Sequence, residues 1–372
     1  MRKYINISLA AALLLVLILA GCGKTADPAS SGGETSTGNA ELAATEQPGD
    51  TGQTDDASQT AGGNESNEAS ATVYPLTIDN YSLAEEGAEW KPKSQTFDKA
   101  PERVVANTQP VAELLLKLGL VDRLVGVAAL YGEADPEVAE EFAKIPVLSE
   151  DYVGKELVVG AAPDLVVGRG GLFADADWGV GTVDGLNEMG IRTFVNSTSI
   201  AGATLDSLYE DIEQLGRIFD VQTQAAALND KLRGRAEAVA ARFASSGKPL
   251  KFAYVSDNGD GTIATYSGNT DTFQTDALGL LHLDNAFGDV EGTISIEQLV
   301  ATNPDVLLIS HYAGAPDPQK TIESILADAS LQSVSAIQKK RIFVIDFNDF
   351  WGYGDQILDG VEKLADELES VK

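Results

Sequence analysis

Two stretches of this chain are near copies, ELVVGAAPDLVV from Glu156 to Val167 and EQLVATNPDVLLI from Glu297 to Ile309. In each, a glutamate stands seven residues ahead of a Pro-Asp pair, and a run of Val, Leu and Ile follows. Such a run behind a turn former reads as a strand buried on both faces, the kind that parallel sheets contain. The flanks recur too. Leu118-Gly119-Leu120 precedes the first copy and Arg192-Thr193-Phe194-Val195 follows it; Leu278-Gly279-Leu280 precedes the second and Arg341-Ile342-Phe343-Val344 follows. Three landmarks in one order with unequal gaps describe a duplicated lobe with differing insertions.

The rest of the folded body fits that plan. Apolar runs at 103–106, 123–128, 164–168 and 192–196 read as strands, and residues 111–120 and 204–219 carry helical spacing. After Pro249 the same parts return, with strands at 251–256, 305–310 and 341–346 and a largely helical stretch over 271–283. Alternating strand and helix implies parallel sheets with helices on both faces. Between the halves, residues 221–245 are rich in Ala, Leu, Lys, Arg and Glu, without proline, and predict one long helix. The expected fold is α/β: two Rossmann-like lobes with parallel sheets, joined by a single long helix, with a ligand cleft between them. The expected boundaries are an N-terminal lobe over 73–220, a bridging helix over 221–246 and a C-terminal lobe over 247–372.

The first residues set the compartment. Arg2 and Lys3 precede an apolar run from Ile7 to Ala20, and Leu19-Ala20-Gly21-Cys22 follows, the layout of a signal peptide over 1–21. The run is short for a membrane span. From Cys22 to residue 72 the chain is mostly Gly, Ser, Thr, Asn, Ala, Asp and Glu, too polar to bury a core and read as a disordered acidic tether. A formal net charge of −31 argues against nucleic acid as a partner.

Several of these features converge on one family. Leu-Ala-Gly-Cys resembles the bacterial lipobox, in which the cysteine, here Cys22, is lipidated. Together with the tether, APERVVANTQPVAELLLKLGLVDRLVGV over 100–127, the paired Glu…Pro-Asp cassettes and the long helix, it resembles the iron-siderophore and cobalamin class of ABC-transporter substrate-binding lipoproteins, periplasmic binding proteins of class III. The resemblance covers about residues 95–370. It implies a protein held by its N-terminal lipid on the outer face of the bacterial cytoplasmic membrane, monomeric, and serving a permease dimer with a cytoplasmic ATPase. It also implies that one surface glutamate per lobe docks on the permease, at Glu156 and Glu297 here. A pseudo-twofold pair of carboxylates suits a two-subunit partner.

Ligands of open parallel sheets bind beyond the carboxyl ends of the strands. The candidates there are Asn107, Thr108, Gln109, Tyr131, Arg169, Phe173 and Trp178 in the first half. In the second half they are Asp257, Tyr266, His311, Tyr312, Phe347, Phe350, Trp351 and Tyr353. DFNDFWGYG, from Asp346 to Gly354, reads as an aromatic loop suited to a large, ring-bearing ligand.

Two histidines in the chain are too few for direct capture of zinc or manganese, so no metal site of the protein's own is expected. With Arg169 the clearest cation, a near-neutral hydroxamate-type chelate or a cobalamin fits better than a tris-catecholate. The resemblance puts a ferric siderophore first, a corrinoid or haem next, and a sensing lipoprotein without transport as the alternative role. An enzyme is not expected: no P-loop, His-Glu-x-x-His or Gly-x-Ser-x-Gly occurs, and GVGTVDG (179–185) does not follow a strand directly.

Overall fold

The computed structural model describes residues 71–83, 89–257, 263–312, 315 and 317–371. The signal peptide, Cys22 and nearly all of the tether lie outside the described residues. The described chain begins fastened to the far end of the first lobe: Thr72 donates to Asp220 Oδ1 (2.6 Å) and, through its hydroxyl, to the Arg217 carbonyl (2.7 Å). An antiparallel hairpin follows, β1 (Leu76–Leu83) and β2 (Trp90–Phe97). Asn80 ties it down by pairing with both backbone groups of Val195.

The first lobe is built on β3 (Val104–Ala106), β4 (Leu124–Val127), β5 (Leu165–Arg169) and β6 (Arg192–Asn196), all parallel, in the order β4-β3-β5-β6. The second contains β7 (Leu250–Asp257), β8 (Ile263–Tyr266), β9 (Leu283–Asn285), β10 (Thr293–Ile294), β11 (Val306–His311) and β12 (Ile342–Asp346). Its parallel members repeat the first lobe's order as β9-β7-β11-β12, while β8 and β10 extend it as an antiparallel edge.

The two cassettes have the same backbone. Each glutamate lies second in a short helix, Lys155–Gly160 or Ile296–Thr302. A left-handed residue closes each helix, Ala162 (φ 50°) and Asn303 (φ 54°), immediately before the proline. The aspartate then tethers its strand to the neighbouring one. Asp164 N–H donates to the Arg103 carbonyl (2.8 Å) and Asp305 N–H to the Lys251 carbonyl (2.7 Å). Their carboxylates accept from the N–H of Arg103 (2.9 Å) and of Lys251 (3.3 Å) respectively. The Pro-Asp half of the repeat is therefore a strand-registration device.

Period-two alternation sorts the core. Val104, Ala106, Leu165, Val167 and Phe194 point one way, and so do Phe252, Tyr254, Val306, Leu308, Phe343 and Ile345. All of these join a single cluster that runs through both lobes. The intervening Val105, Val166 and Val195 pack in a cluster private to the first lobe, and Ala253, Val255, Leu307 and Ile309 in one private to the second. Val158 and Leu299, each two residues past its glutamate, are fully buried in those private clusters.

The connecting helix spans Gln222–Phe243, about 33 Å at 1.5 Å per residue. Ala225, Leu228, Leu232, Ala236, Val239 and Phe243 face the shared core. Arg235 and Arg242, on the flank of that buried stripe, hold the C-terminal helix Ile357–Ser370 through Asp359, Glu362, Asp366 and Glu369.

Polar groups join the lobes directly as well. Lys117, 5% exposed at its side chain, pairs with Asp135 of its own lobe and Asp355 of the other, both at 2.6 Å. Beside it, buried Glu113 accepts from Gln109 Nε2 (2.8 Å) and, across the boundary, from Gln356 Nε2 (2.7 Å). On the opposite side, the Thr198 hydroxyl donates to the Tyr353 carbonyl (2.8 Å), and Leu205 N–H to Asp276 (2.8 Å).

The structure refines the sequence reading at three places. The helix over 271–283 stops at Gly279, and Leu283–Asn285 forms β9 instead. The hairpin β1–β2 was not foreseen. The stretch read as an aromatic loop forms a short helix, Phe347–Trp351, because Asp346 caps it by accepting from Asn348 N–H (2.7 Å).

Candidate functional site

The carboxyl ends of the two sheets converge at the lobe boundary. On the first lobe, Asn107 and Gln109 are almost fully buried and act as braces. Asn107 clamps both backbone groups of Arg169: its Nδ2 donates to the carbonyl (3.1 Å) and its Oδ1 accepts from the N–H (2.9 Å). Gly168 makes room for that clamp, since a Cβ there would lie 1.7 Å from Asn107 Oδ1. Gln109 fixes the loop after β4 by accepting from Tyr131 N–H (2.9 Å) and donating to the Glu133 carbonyl (3.1 Å). Neither side chain is free to meet a ligand; they position Arg169 and Tyr131.

Arg169 closes β5 with its guanidinium over the Tyr353 ring, 4.9 Å from the centroid, so the cation of one lobe meets an aromatic face of the other. Tyr353 is held in the left-handed region (φ 57°), an unfavourable backbone for a bulky residue that the Thr198 bond to its carbonyl secures. Burial raises the Tyr131 hydroxyl well above the usual tyrosine range, opposed by the nearby Arg169 charge.

The second lobe contributes a set of packed rings, of which Tyr254 and Trp351 are buried in the shared core. Trp351 stacks on Phe347 (5.5 Å, 14°) and approaches Tyr254 (5.6 Å), which in turn stacks on Tyr266 (4.8 Å, 2°). Phe347 also meets Tyr131 edge-on at 6.0 Å and Tyr312 at 6.1 Å. Tyr312 is 55% exposed at the rim, and His311 ends β11 half-buried opposite Asp346. Asp271 lies beside Tyr254. Burial raises the Asp271 pKa, while the neighbouring Trp351 indole and the Arg169 charge oppose that rise.

Two further candidates are core residues. Phe173 (2% exposed) sits in the first lobe's private core and Phe350 (fully buried) in the shared core. The helix at 347–351 turns Phe350 fully inward, while Phe347 at its start stays partly exposed. Trp178 is 46% exposed and takes part in none of the ring pairs among the described residues. The side chain of Asp257 lies outside the described residues. Asp271 and Tyr254 went unnoticed in the sequence: the first looks like a helix cap, the second like one more alternating core position.

A cleft of about 880 Å³ opens on one flank of this boundary, beside Tyr131, Asp346 and the connecting helix. The four cations along it, Lys117, Lys231, Arg235 and Lys363, are each already paired with carboxylates. Glu156 and Glu297 are exposed on the outer surface, one per lobe, in equivalent helical turns. The Glu297 carboxyl is held below its usual range by its own backbone N–H and the Ser295 hydroxyl.

This arrangement defines a solute-binding protein: two like lobes, a rigid strut and a ring-lined boundary with no catalytic constellation among the described residues. The chain belongs to the periplasmic binding protein family, whose model matches residues 104–348. It is 24% identical over 301 residues to an uncharacterized ABC transporter substrate-binding lipoprotein, YvrC, of Bacillus subtilis, covering 80% of this chain and 86% of that one. It is 26% identical over 283 residues to a cobalamin-binding protein of Halobacterium salinarum, with 74% and 71% covered. Among solved structures, an ABC-type Fe3+-hydroxamate transport system protein of Saccharomonospora viridis aligns with a TM-score of 0.62 at 26% identity, over 79% of this chain and 99% of that one. Substrate-binding proteins of this family work with ABC permease and ATPase components and are not enzymes. Among the described residues, no helix is long and apolar enough to cross a membrane.

Proposed function

We propose that this chain is the lipid-anchored, extracytoplasmic binding component of an ABC importer and that its cargo is a corrinoid. One observation carries the choice of cargo. The lobe boundary gathers the partly exposed rings of Tyr131, Phe347, Tyr312 and Tyr353 around a single arginine, with Trp351 and Tyr254 buried behind them, while the cations of the adjoining cleft are already paired. Rings without spare positive charge suit a large, flat, near-neutral ligand. The named cobalamin-binding relative supports that reading over the ferric siderophore that the sequence put first. A neutral ferric hydroxamate is the second reading, favoured by the likeness to the Fe3+-hydroxamate protein.

Delivery runs through Glu156 and Glu297, whose matched positions present one carboxylate per lobe to a two-subunit permease. Cys22 carries the lipid, and the chain acts as a monomer. Calorimetric titration of residues 72–372 with cyanocobalamin, a ferric trihydroxamate, haemin and a ferric tris-catecholate tests the cargo. The expected order is cyanocobalamin tightest, the hydroxamate next. Absence of binding to all four would remove the reading.

A further inference from the structure

The amino ends of the second lobe's strands hold a cavity of about 320 Å³, at the end of the sheet away from the cargo boundary. Leu250 opens β7, His282 directly precedes β9 and Arg341 directly precedes β12, and all three line it. Its floor is apolar. Phe243 at the end of the connecting helix, Leu281 and, on the C-terminal helix, Leu368 form that floor; each is at most 4% exposed and belongs to the shared core.

The rim is basic. Lys248 is exposed, and Arg341 and His282 are half-buried. His282 is set in the left-handed region (φ 57°), its N–H donating to the Gly279 carbonyl (2.9 Å) and its own carbonyl accepting from Leu250 N–H (3.0 Å). Among the described residues, no carboxylate lines this cavity, and neither Lys248 nor Arg341 has an ion pair or a side-chain hydrogen bond. That sets the place apart in a chain where 57 Asp and Glu face 26 Lys and Arg. The cleft of about 880 Å³ shows the ordinary arrangement, with each of its four cations paired. An anion would balance the two cations here, and only one carrying an apolar tail would also use the floor.

We infer that this cavity is a second binding site, for a small amphipathic anion: a carboxylate held by Arg341 and Lys248, with its tail against Phe243, Leu281 and Leu368. The planar fork of arginine matches a carboxylate. At roughly 30 Å³ per non-hydrogen atom the volume takes about ten such atoms, the size of a carboxylate of about eight carbons. Its occupant touches the end of the strut, the C-terminal helix and the turn before β9, and so fastens the joint where the strut enters the second lobe. The site goes beyond the cargo reading and stands whether or not that reading does.

Octanoate is the probe, with three comparators. 1-Octanol keeps the tail without the charge, acetate keeps the charge without the tail, and octylammonium reverses the charge. Calorimetric titration uses residues 23–372, produced without the lipid and retaining every described residue. Wild type should bind octanoate saturably, about tenfold or more tighter than any comparator, and less tightly at high salt. Lys248→Gln combined with Arg341→Gln should weaken octanoate by about tenfold or more and leave 1-octanol unchanged. Ser246→Trp, which fills the cavity from its lining and keeps both cations, should also abolish binding, with circular dichroism to check that each variant folds.

Equal binding of octanoate by wild type and the double variant would overturn the inference, and so would 1-octanol bound as tightly as octanoate. Absence of octanoate binding overturns it too. If that chain instead sediments with phosphatidylglycerol vesicles through Lys248 and Arg341, this end of the lobe is a membrane contact rather than a small-molecule site.

Discussion

Lys117→Met should show what holds the lobes together. Lys117 lies between Asp135 and Asp355 at 2.6 Å from each, with side-chain exposures of 5%, 15% and 3%. Methionine keeps most of the stem's volume but leaves two carboxylates facing each other without a cation, beside buried Glu113. Removing one partner of a buried ion pair costs about 3–5 kcal/mol, because the stranded charges lose their compensation.

The pH dependence follows from the shifts. Burial disfavours the charged lysine, yet Asp355 and Asp135 raise its pKa well above the ordinary 10.5, so its contribution is intact below about pH 10. Burial pushes the Asp135 carboxyl up, but the Lys117 bond brings it below the usual 3.8. Its contribution therefore stands above about pH 4 and fades as pH falls through the depressed value. Urea unfolding followed by tryptophan fluorescence should give a gap of about 3–5 kcal/mol between wild type and variant from about pH 5 to 9. The gap should shrink in stronger acid. Adding Asp135→Asn and Asp355→Asn to the variant should recover most of it. A gap under about 1 kcal/mol at neutral pH, or one that persists undiminished in acid, would refute the ion-pair account.

Asp211, buried beneath Ser197, is pushed up to about 7 by burial, against its hydrogen bonds to Ser197 and Thr198. Its folded value lies above the unfolded one, so it weakens the fold progressively as pH rises from about 4 to 7; relative to wild type, Asp211→Asn should gain up to about 4 kcal/mol over that range in urea unfolding. Gly168→Ala should drive a methyl into Asn107, cost about 2–3 kcal/mol and loosen Arg169, lowering cargo affinity at least tenfold by calorimetry; unaltered affinity would remove the brace from the site. Reversing Glu156 and Glu297 together to Lys should abolish uptake while solution affinity for the cargo holds, and unchanged uptake would sink the docking assignment.

The duplicated architecture was legible because a strand buried on both faces and a Pro-Asp entry leave a strong mark in sequence. The two lobes and the paired cassettes follow from it, whereas strand order and register came only with the structure. What escaped notice were places where local pattern and tertiary role diverge. The hairpin β1–β2 mixes polar and apolar residues without a clean alternation, and Asn80 anchors it through contacts 115 residues away. The aromatics from Phe350 to Tyr353 looked like one surface, but a five-residue helix buries Phe350 and Trp351 in the shared core and leaves Tyr353 partly exposed. Asn107 and Gln109 stood at the right strand ends for contact and act through Arg169 and Tyr131 instead.

The shared cluster has a consequence for heredity. Duplication produced two lobes with the same strand order, yet the inner face of each sheet now packs into one interior that neither owns. Phe252, Tyr254 and Val306 complete it from one side, and Val104, Leu165 and Phe194 from the other. The halves are thus kin without being interchangeable parts. A chimera that takes one lobe from a relative must carry the matching inner face and connecting helix with it, whereas the outer faces, with their private clusters and exposed Glu156 and Glu297, can diverge independently.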